Sequence, residues 1–331
     1  MTITMDSKLE LKGKDYLAYR AGALLYSPAI NTKIAQKILS HAFGKLPAFA
    51  FCLEDSIMNE ALRLAETNLK LALQAIRSGK SGNLPLLFVR VRTPEHLVRV
   101  HSLLQEDESV LTGYILPKFD LNNAKEYTSF FADVNKGREK PLYFMPILES
   151  SQIADICTRQ ETLYAIKNIL SDIQQYVLGI RVGGNDLCNL YGLRRSVGQT
   201  IYDIAVVRNI LADIINVFSR DYVVSGPVWE YYGTDVSGAW ADGLRAEIAL
   251  DRLNGFIGKT VIHPSQIQII LDSLSVSRRD YEDAKKLLNW DDKDFGVAKS
   301  VSGERMNEVK CHVNWAKKIM ALADVYGIKD E

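Results

Sequence analysis

Short apolar segments that end in a few polar residues recur along this chain at nearly even spacing. The eight segment ends read LLYSP, FCLED, FVRVR, LPKFD, ILES, GGND, SGP and IHPSQ. From Pro28 in the first to His263 in the last, the intervals average roughly 34 residues, about the length of one strand with its crossover helix. This spacing predicts a closed barrel of alternating strands and helices, with the polar residues gathered on one face.

The order of the predicted elements favours a parallel sheet. Runs such as 48–53 (AFAFCL) are continuously apolar, as expected for strands buried on both faces, and no two predicted strands follow each other directly. Pro146 falls inside one run and predicts a bulge, because it removes a ladder donor. An open doubly wound sheet accommodates the same alternation, but about eight strand–helix units in ~250 residues fit closure better.

The predicted fold is therefore α/β: a TIM (β/α)8 barrel with a C-terminal helical extension. Residues 1–21 are predicted to be an N-terminal extension, 22–273 the barrel, and 274–331 a C-terminal helical lid or oligomerisation segment. A tail of roughly 55 residues with only a modest apolar stripe is too small to form a core alone, so it is expected to dock on a larger body.

Composition limits the partners and the compartment. The chain has 331 residues, 47% of them apolar, and its 40 basic and 40 acidic residues cancel to zero net charge. Without a long-range field, binding to nucleic acid or to an anionic membrane is not expected. Because no segment approaches ~18 uninterrupted apolar residues and no secretory leader is visible, a soluble cytoplasmic protein is predicted.

Four cysteines, Cys52, Cys157, Cys188 and Cys311, show no CxxC spacing. This pattern predicts reduced thiols that fill small buried spaces rather than a disulfide framework.

Two carboxylates follow adjacent predicted strands. Glu149 ends ILES and Asp186 ends GGND, and both are expected at the same edge of the barrel, close enough to share one hard cation. Mg²⁺ commonly uses one or two protein carboxylates and leaves its other positions to water and substrate oxygens. The alternative is that each carboxylate caps a helix or pairs with an arginine.

Arg90 ends the third predicted strand, where an unpaired guanidinium inside a barrel is costly. It needs an anion, either an internal carboxylate or a substrate carboxylate held by two hydrogen bonds. If the pleat stays regular, Arg92 points to the same side of the strand, where it either binds the anion in place of Arg90 or assists Arg90 in binding it.

Gly183 and Gly184 precede Asn185 and Asp186. Two glycines let backbone N–H groups approach an anion closely, but a tight turn with positive φ demands them equally. Neither nucleotide-binding glycine fingerprint is present in the sequence, so nucleotide binding has no local support.

Taken in order, LED, VRVR, LPK, ILES, GGND, SGP, GLRAE and IHPSQ resemble the citrate lyase beta-subunit-like branch of the HpcH/HpaI aldolase superfamily. The resemblance covers roughly residues 22–288 and lies in the ordered set, since no single motif is specific. It implies a TIM barrel that binds Mg²⁺, or Mn²⁺ in its place. The resemblance and the residues together give these candidates: catalytic Arg90, Glu54 and Asp55; substrate-binding Arg90, Gly184, Asn185 and Lys118; metal-binding Glu149 and Asp186.

The resemblance also implies an activity. Members make or break a carbon–carbon bond in a small 2-oxo or hydroxy acid, often as a coenzyme A thioester, by retro-aldol or retro-Claisen chemistry, and many are trimers or hexamers. A divergent homo-oligomeric lyase is therefore expected. A phosphoenolpyruvate-mutase-like enzyme, an aldolase for free oxo acids and a non-catalytic ligand-binding or assembly barrel stay open as alternatives.

Departures from the family pattern include Cys52, Arg92 and Asn185, together with Pro28-Ala29 in the early turn and an arginine displaced to Arg20. Cys52 makes the barrel interior less polar, and Asn185 lowers the negative charge around the cation. Arg92 adds a positive charge, and pairing with Glu54 or Asp55 is favoured over a second substrate anion, because an exposed anion site costs more desolvation.

The general base is not decided by the sequence. Glu54 and Asp55 are candidates within the barrel, and the tail offers Asp291, Asp292 and Asp294. His263 is interpreted as a structural residue that closes the barrel by hydrogen bonding. Arg245 and Glu247 of GLRAE are interpreted as solvated charges on the outer face of a helix.

Overall fold

The computed structural model describes residues 11–79, 82–290, 296–301 and 303–330. The chain divides into two compact units, one of residues 21–270 and one of residues 11–20 with 271–330. The strands are β1 Ala23–Pro28, β2 Ala48–Cys52, β3 Leu86–Arg90, β4 Gly113–Leu116, β5 Tyr143–Leu148, β6 Ile180–Val182, β7 Val224–Ser225, β8 Lys259–Val261, β9 Val276–Ser277, β10 Val297–Lys299, β11 Met306–Glu308 and β12 Ile328–Lys329. The α-helices are α1 Gly13–Arg20, α2 Ile34–Leu39, α3 Leu62–Ser78, α4 Pro94–Leu104, α5 Ala124–Val134, α6 Ser151–Ala154, α7 Arg159–Ser171, α8 Gly184–Leu190, α9 Ala205–Phe218, α10 Ala239–Leu253, α11 Ile267–Leu274, α12 Arg278–Leu288 and α13 Val309–Tyr326.

The first unit is a parallel barrel. Its eight strands lie in the order β7-β6-β5-β4-β3-β2-β1-β8, and a bridge between Gly226 and Lys259 joins the two ends of the sheet. The N–H of Gly226 also donates to the carbonyl of Gly258 at 3.0 Å. The predicted TIM barrel is confirmed, and its strands are buried on both faces, which explains their continuous apolar runs.

The bulge predicted at Pro146 is present. Phe144 pairs with Val177, and Ile147 pairs with Arg181. Between these two pairs the segment leading into β6 has one residue more than β5. Backbone groups of Phe144 face β6, and by alternation those of Pro146 do too. The register therefore slips where proline offers no N–H to the ladder, just before the polar residues that follow β5.

A buried ionic cluster lies at the start of β8. Glu247 on α10 has no exposed surface, and its Oε1 accepts from Lys259 Nζ at 2.9 Å. Lys259 also pairs with Asp251 at 2.7 Å, and Arg195 lies 3.3 Å from Glu247. The interpretation of Glu247 as a solvated charge was therefore wrong, because α10 turns this face toward the barrel. Arg245 on the same helix is half exposed and pairs with a surface aspartate.

The second unit contains the predicted C-terminal helical extension. Helices α12 and α13 pack together, and Arg305 links them by ion pairs to Asp280 at 2.7 Å and Asp283 at 2.8 Å while lying over the ring of Trp315. Strands β10 and β11 form an antiparallel pair, and β12 pairs with β9. The role of this segment as a lid or in oligomerisation stays a prediction.

All four thiols are free. Cys52 and Cys188 are buried as predicted, but Cys157 and Cys311 are exposed. Cys157 lies in the turn between α6 and α7, and Cys311 lies in the first turn of α13, so neither position faces a core. In the described part of the chain, no helix combines the length and apolar character needed to cross a bilayer.

Candidate active site

A cavity of about 370 Å³ lies at the carboxyl ends of the barrel strands. In a parallel barrel this edge collects the residues that follow each strand, because every strand points the same way. The lining includes residues from β1, β3, β6 and β8 and from the segments that follow β2, β5 and β6.

Glu149 and Asp186 both line this cavity. Glu149 follows β5, is 4% exposed, and accepts a hydrogen bond at Oε1 from the backbone N–H of Lys118 at 2.9 Å. Asp186 lies in the first turn of α8 and makes no hydrogen bond or ion pair within the described residues. Burial, together with the charge of Asp186, raises the pKa of Glu149 to about 8.

Gly183 allows the approach of these two carboxylate-bearing segments. A Cβ at this position would lie 1.7 Å from Oε2 of Glu149, and a Cβ at Gly184 would lie 2.6 Å from Cβ of Pro227. Gly183 has φ of −93°, and neither glycine adopts a positive φ. The glycines are therefore explained by close packing, and the turn with positive φ considered from the sequence is wrong.

The donor set fits Mg²⁺. Neither Glu149 nor Asp186 pairs with an arginine in the part of the chain that is described, and Oε2 of Glu149 and both oxygens of Asp186 accept no hydrogen bond there. No group of three or more histidine, cysteine, aspartate or glutamate side chains suited to a metal occurs among the same residues. Two carboxylates with room for water and substrate are the arrangement that Mg²⁺ prefers.

Arg90 forms the internal ion pair that the sequence left open. Its Nη2 lies 2.5 Å from Oε2 of Glu54 and 2.9 Å from Oδ2 of Asp55. Its side chain is 12% exposed and borders the cavity. Nη1 has only a contact of 4.0 Å with Sγ of Cys52, and Nε has no partner among the described residues. One nitrogen thus holds both acids, and Nη1 keeps capacity for a substrate oxygen, while Nε is buried.

Glu54 and Asp55 form an acid pair with Lys118. Nζ of Lys118 lies 2.7 Å from Glu54 and 3.4 Å from Asp55. Burial and its neighbour Asp55 raise the pKa of Glu54. Burial also acts to raise the pKa of Asp55, but the hydrogen bond with Glu54 and the charges of Arg90 and Lys118 outweigh it and lower that pKa to about 2. At neutral pH Asp55 is ionised, and Glu54 is the member with the higher proton affinity.

The two acids differ in their exposure. Asp55 is 53% exposed and lines the cavity, whereas Glu54 is 7% exposed and lies behind it. The structure therefore places the ionised member of the pair at the cavity surface. Gly184 and Asn185 also line the cavity, so the predicted substrate-binding positions on α8 lie beside the carboxylates.

Arg92 neither lines the cavity beside Arg90 nor pairs with Glu54 or Asp55 in the described structure. β3 ends at Arg90, so the pleat does not continue, and Arg92 turns away from the cavity. Its Nε donates to the carbonyl of Leu53 at 2.7 Å, and its guanidinium also bonds Asn59 and the carbonyl of Ile57. The prediction that Arg92 pairs with Glu54 or Asp55 was wrong. Its side chain instead forms hydrogen bonds with the loop that carries these two acids.

His263 does not close the barrel. Its Nδ1 accepts from the N–H of Ser265 at 3.3 Å and caps the short helical turn that follows β8. The neighbouring Gln266 links the segments that follow β7 and β8, since its Nε2 donates to the carbonyls of Trp229 and Tyr231 at 3.0 and 2.9 Å. The remaining candidate bases, Asp291, Asp292 and Asp294, lie outside the described residues.

Arg181 on β6 is a cavity residue that the sequence reasoning missed. It lies inside the apolar run YVLGIRVGG, is 2% exposed, and lines the cavity. The signal that could have revealed it is a single charge inside a strand that is otherwise apolar.

Residues 15–328 match the family described as C-C_Bond_Lyase of the TIM-Barrel fold. No curated protein sequence matched.

Several solved structures share the fold. Protein CitE from Mycobacterium tuberculosis, in complex with magnesium, acetoacetate and coenzyme A, is 19% identical, with a TM-score of 0.60 over 92% of this chain and 99% of its own. RipC from Yersinia pestis is 17% identical, with a TM-score of 0.53 over 77% of this chain and 95% of its own. The citrate lyase beta subunit complexed with oxaloacetate and magnesium from M. tuberculosis is 19% identical, with a TM-score of 0.50 over 77% and 98%.

At these identities the likeness is one of fold, while the family match extends over most of the chain. The resemblance drawn from the ordered motifs is thereby confirmed. The chain belongs to the family of carbon–carbon bond lyases with the TIM-barrel fold, and it is a lyase.

Proposed function

We propose that this lyase is magnesium-dependent and cleaves or forms a carbon–carbon bond in a small 2-oxo or hydroxy acid, free or as a coenzyme A thioester. The observation that carries the proposal is one cavity shared by Glu149 and Asp186, two carboxylates with no arginine partner among the described residues, and by the cluster of Arg90 and Asp55. The fold relatives complexed with magnesium and with oxaloacetate, or with acetoacetate and coenzyme A, support this class of ligand.

Glu149 and Asp186 would hold the metal. Bound Mg²⁺ supplies Lewis-acid polarisation of a substrate carbonyl or carboxylate oxygen, worth several kcal/mol of charge stabilisation. The backbone N–H of Lys118 fixes Oε1 of Glu149, and Oε2 and the carboxylate of Asp186, which accept no hydrogen bond among the described residues, would be the metal ligands. Burial, and then the charge of Asp186, raise the pKa of Glu149, and a bound cation would offset both effects.

Arg90 positions the substrate. After Nη2 has bound both acids, Nη1 is the nitrogen left for a substrate oxygen, and a guanidinium donates to a carboxylate in a defined plane. Because Arg90 is held by Glu54 and Asp55, its orientation is set before substrate arrives, which lowers the entropy cost of alignment.

The acid pair moves the proton. In the cleavage direction a base must take the proton of the substrate hydroxyl, and in the reverse direction the same group returns it. Asp55 faces the cavity and exchanges that proton with the substrate, while Glu54, with its raised pKa, stores it. The two carboxyl groups therefore titrate as one unit rather than as separate residues.

Calorimetry with Mg²⁺ and pyruvate or oxaloacetate tests the metal site. Wild type is expected to bind Mg²⁺, and Glu149→Gln and Asp186→Asn are each expected to lose that binding by roughly tenfold or more. Asp133→Asn removes an exposed surface carboxylate and serves as the matched control. Unchanged Mg²⁺ affinity in both site variants would remove the basis of the proposal.

Turnover assays distinguish the substrate classes. Thioesters, free oxo acids and phosphonates are to be compared with Mg²⁺ and with Mn²⁺ at equal concentration. Cleavage of a thioester or free acid supports the lyase, whereas rearrangement of a phosphonate alone would assign mutase chemistry. Assembly into a homo-oligomer is part of the proposal and is checked by sedimentation.

A further inference from the structure

Arg181 carries a buried positive charge without a carboxylate partner. It lies on the inner side of β6 and is 2% exposed. Its Nη2 donates to Oγ1 of Thr260 on β8 at 2.6 Å, and its Nη1 lies 3.4 Å from Oγ of Ser225 on β7. Its Nε has no partner, and Arg181 forms no ion pair with any described residue.

Other buried arginines of the chain have the partner that Arg181 lacks. Arg159 pairs with Asp213 at 3.0 Å, and Arg195 lies 3.3 Å from Glu247. Arg90, in the same cavity, holds two acids. Hydroxyl groups accept hydrogen bonds but bring no negative charge, so the environment of Arg181 is incomplete in charge.

Tyr26 does not supply that charge. The centroid of its ring lies 6.0 Å from Cζ of Arg181 and 5.9 Å from Cζ of Arg90, so the ring is near both cations. Burial raises the pKa of Tyr26, which keeps the phenol neutral at pH 7. Burial lowers the pKa of Arg181 and the nearby charge of Arg90 adds to this, while a side-chain hydrogen bond with Tyr26, a neutral partner, acts in the opposite direction.

We propose that Arg181, assisted by Thr260, binds a second carboxylate of the substrate, so that the substrate class is dicarboxylic. This inference rests on the proposed function, since it assigns the group at the far end of the same oxo or hydroxy acid. Three observations support this proposal. Arg181 and Thr260 both line the cavity, and the cavity of about 370 Å³ is large enough for a small dianion. In addition, the planar guanidinium group matches the geometry of a carboxylate. Arg181 is then a specificity-determining residue.

The test compares three ligands that differ only at one end. Oxaloacetate carries the second carboxylate, 4-methyl-2-oxopentanoate replaces it with a neutral isopropyl group of similar size, and 3-phosphonopyruvate replaces it with a phosphonate. Dissociation constants are measured by calorimetry with Mg²⁺ and again with a chelator. Wild type is expected to prefer oxaloacetate over the neutral acid by roughly tenfold or more.

Arg181→Met removes the charge and leaves an unbranched apolar side chain in its place. The preference for oxaloacetate is expected to fall below about threefold, with the affinity for the neutral acid little changed. Arg181→Lys retains a positive charge and is expected to keep part of the preference. The melting temperature of Arg181→Met is expected to equal or exceed that of wild type, because an uncompensated buried charge is removed.

Arg159→Met is the matched control. It is expected to lower the melting temperature, because Asp213 and the carbonyls of Ile153 and Ala154 lose their donor, and to leave the ligand preference unchanged. A merely structural role for Arg181 predicts instead that its Met variant loses stability and keeps the preference.

Several results overturn the inference. They are equal binding of oxaloacetate and the neutral acid by wild type, an undiminished preference in Arg181→Met, stronger binding of the phosphonate than of oxaloacetate, or no binding of any ligand. Failure of the proposed function alone looks different: the carboxylate preference persists with the chelator while Mg²⁺ binding and bond cleavage are absent.

Discussion

The backbone N–H of Lys118 donates a hydrogen bond of 2.9 Å to Oε1 of Glu149. Lys118 has a φ of 49°, a conformation that few residues other than glycine adopt. The same residue extends its ammonium group to Glu54 at 2.7 Å. The end of β4 thus connects the candidate metal ligand with the acid pair, and backbone strain at a candidate site is consistent with a functional constraint there.

Gly183→Ala is expected to damage the metal site directly. The new Cβ would lie 1.7 Å from Oε2 of Glu149, so the carboxylate must move away from Asp186. We expect Mg²⁺ affinity to fall by about tenfold or more, as seen when metal-site geometry is disturbed. Isothermal titration with Mg²⁺ measures it.

Gly198→Ala is the control for this substitution, because a Cβ there meets nothing within 4 Å and its φ is not positive. Its Mg²⁺ affinity should equal that of wild type. Normal Mg²⁺ binding by the Gly183 variant would show that Oε2 of Glu149 is not a ligand.

Asp55→Asn is expected to lower kcat by about 10²- to 10⁴-fold, the usual contribution of a positioned acid or base. KM should change less, provided that Arg90 stays bound to Glu54. Glu54→Gln should reduce kcat as well, because it removes the carboxylate that would take the proton from Asp55. Steady-state kinetics on the substrate found by the turnover assays measures both variants.

Glu60→Gln tests the same loop without touching the pair, since Glu60 is exposed. It should leave kcat unchanged. If Asp55→Asn retains full kcat, proton transfer belongs to another residue.

His96 is expected to make stability depend on pH. It is buried on α4, where Nδ1 accepts from the N–H of Arg92 at 3.1 Å and Nε2 lies 3.0 Å from Glu66. Burial, and then the charge of Arg99, lower the pKa of His96 to about 4. The unfolded chain, with a histidine pKa near 6.5, therefore takes up this proton first as the pH falls.

His96 contributes roughly 2–3 kcal/mol of stability, which is complete above pH ~6.5 and is lost as the pH falls from there to about 4. Urea unfolding at pH 7.5 and pH 4.5 measures it. His96→Gln should be less sensitive to this change of pH than wild type, whereas replacement of exposed His41 by Asn should not alter the sensitivity. Equal sensitivity in His96→Gln and wild type would contradict the prediction.

Glu247→Gln is expected to destabilise the barrel by about 3–5 kcal/mol, because it leaves the buried charges of Lys259 and Arg195 with less compensation. The free energy of unfolding in urea measures this loss. Asp242→Asn breaks an exposed pair with Arg245 on the same helix and should change stability by less than about 1 kcal/mol. If both variants lost similar amounts of unfolding free energy, burial of the ion pair would not determine how much its disruption destabilises the protein.

The barrel and its candidate metal ligands follow from local pattern. A strand buried on both faces must be apolar throughout, so its end is visible as the first polar residue, and parallel strands collect those ends at one edge. This reasoning applies to Glu149, Asp186 and Arg90, and the structure places all three at one cavity.

The fate of individual charges did not follow from that pattern. Arg92 was expected in the pleat beyond Arg90, but the strand had ended, and its side chain binds loop carbonyls. Glu247 was interpreted as solvated, yet it is completely buried beside Lys259. In both cases the partner lies dozens of positions or a whole element away along the chain, where helical and strand periodicity carry no information.

Periodicity alone was enough to establish the alternation of strands and helices, the barrel that encloses them and the edge where its polar residues gather. Only the tertiary structure decided which charges are paired, because a pairing depends on how elements distant in sequence pack. That packing brings Arg90 into contact with Glu54 and Asp55. It also places Glu149 in close contact with Gly183. Arg181 lines the cavity without an acidic partner among the described residues. Burial makes each of these arrangements consequential, since a charge removed from water must find its compensation in the fold or in a ligand.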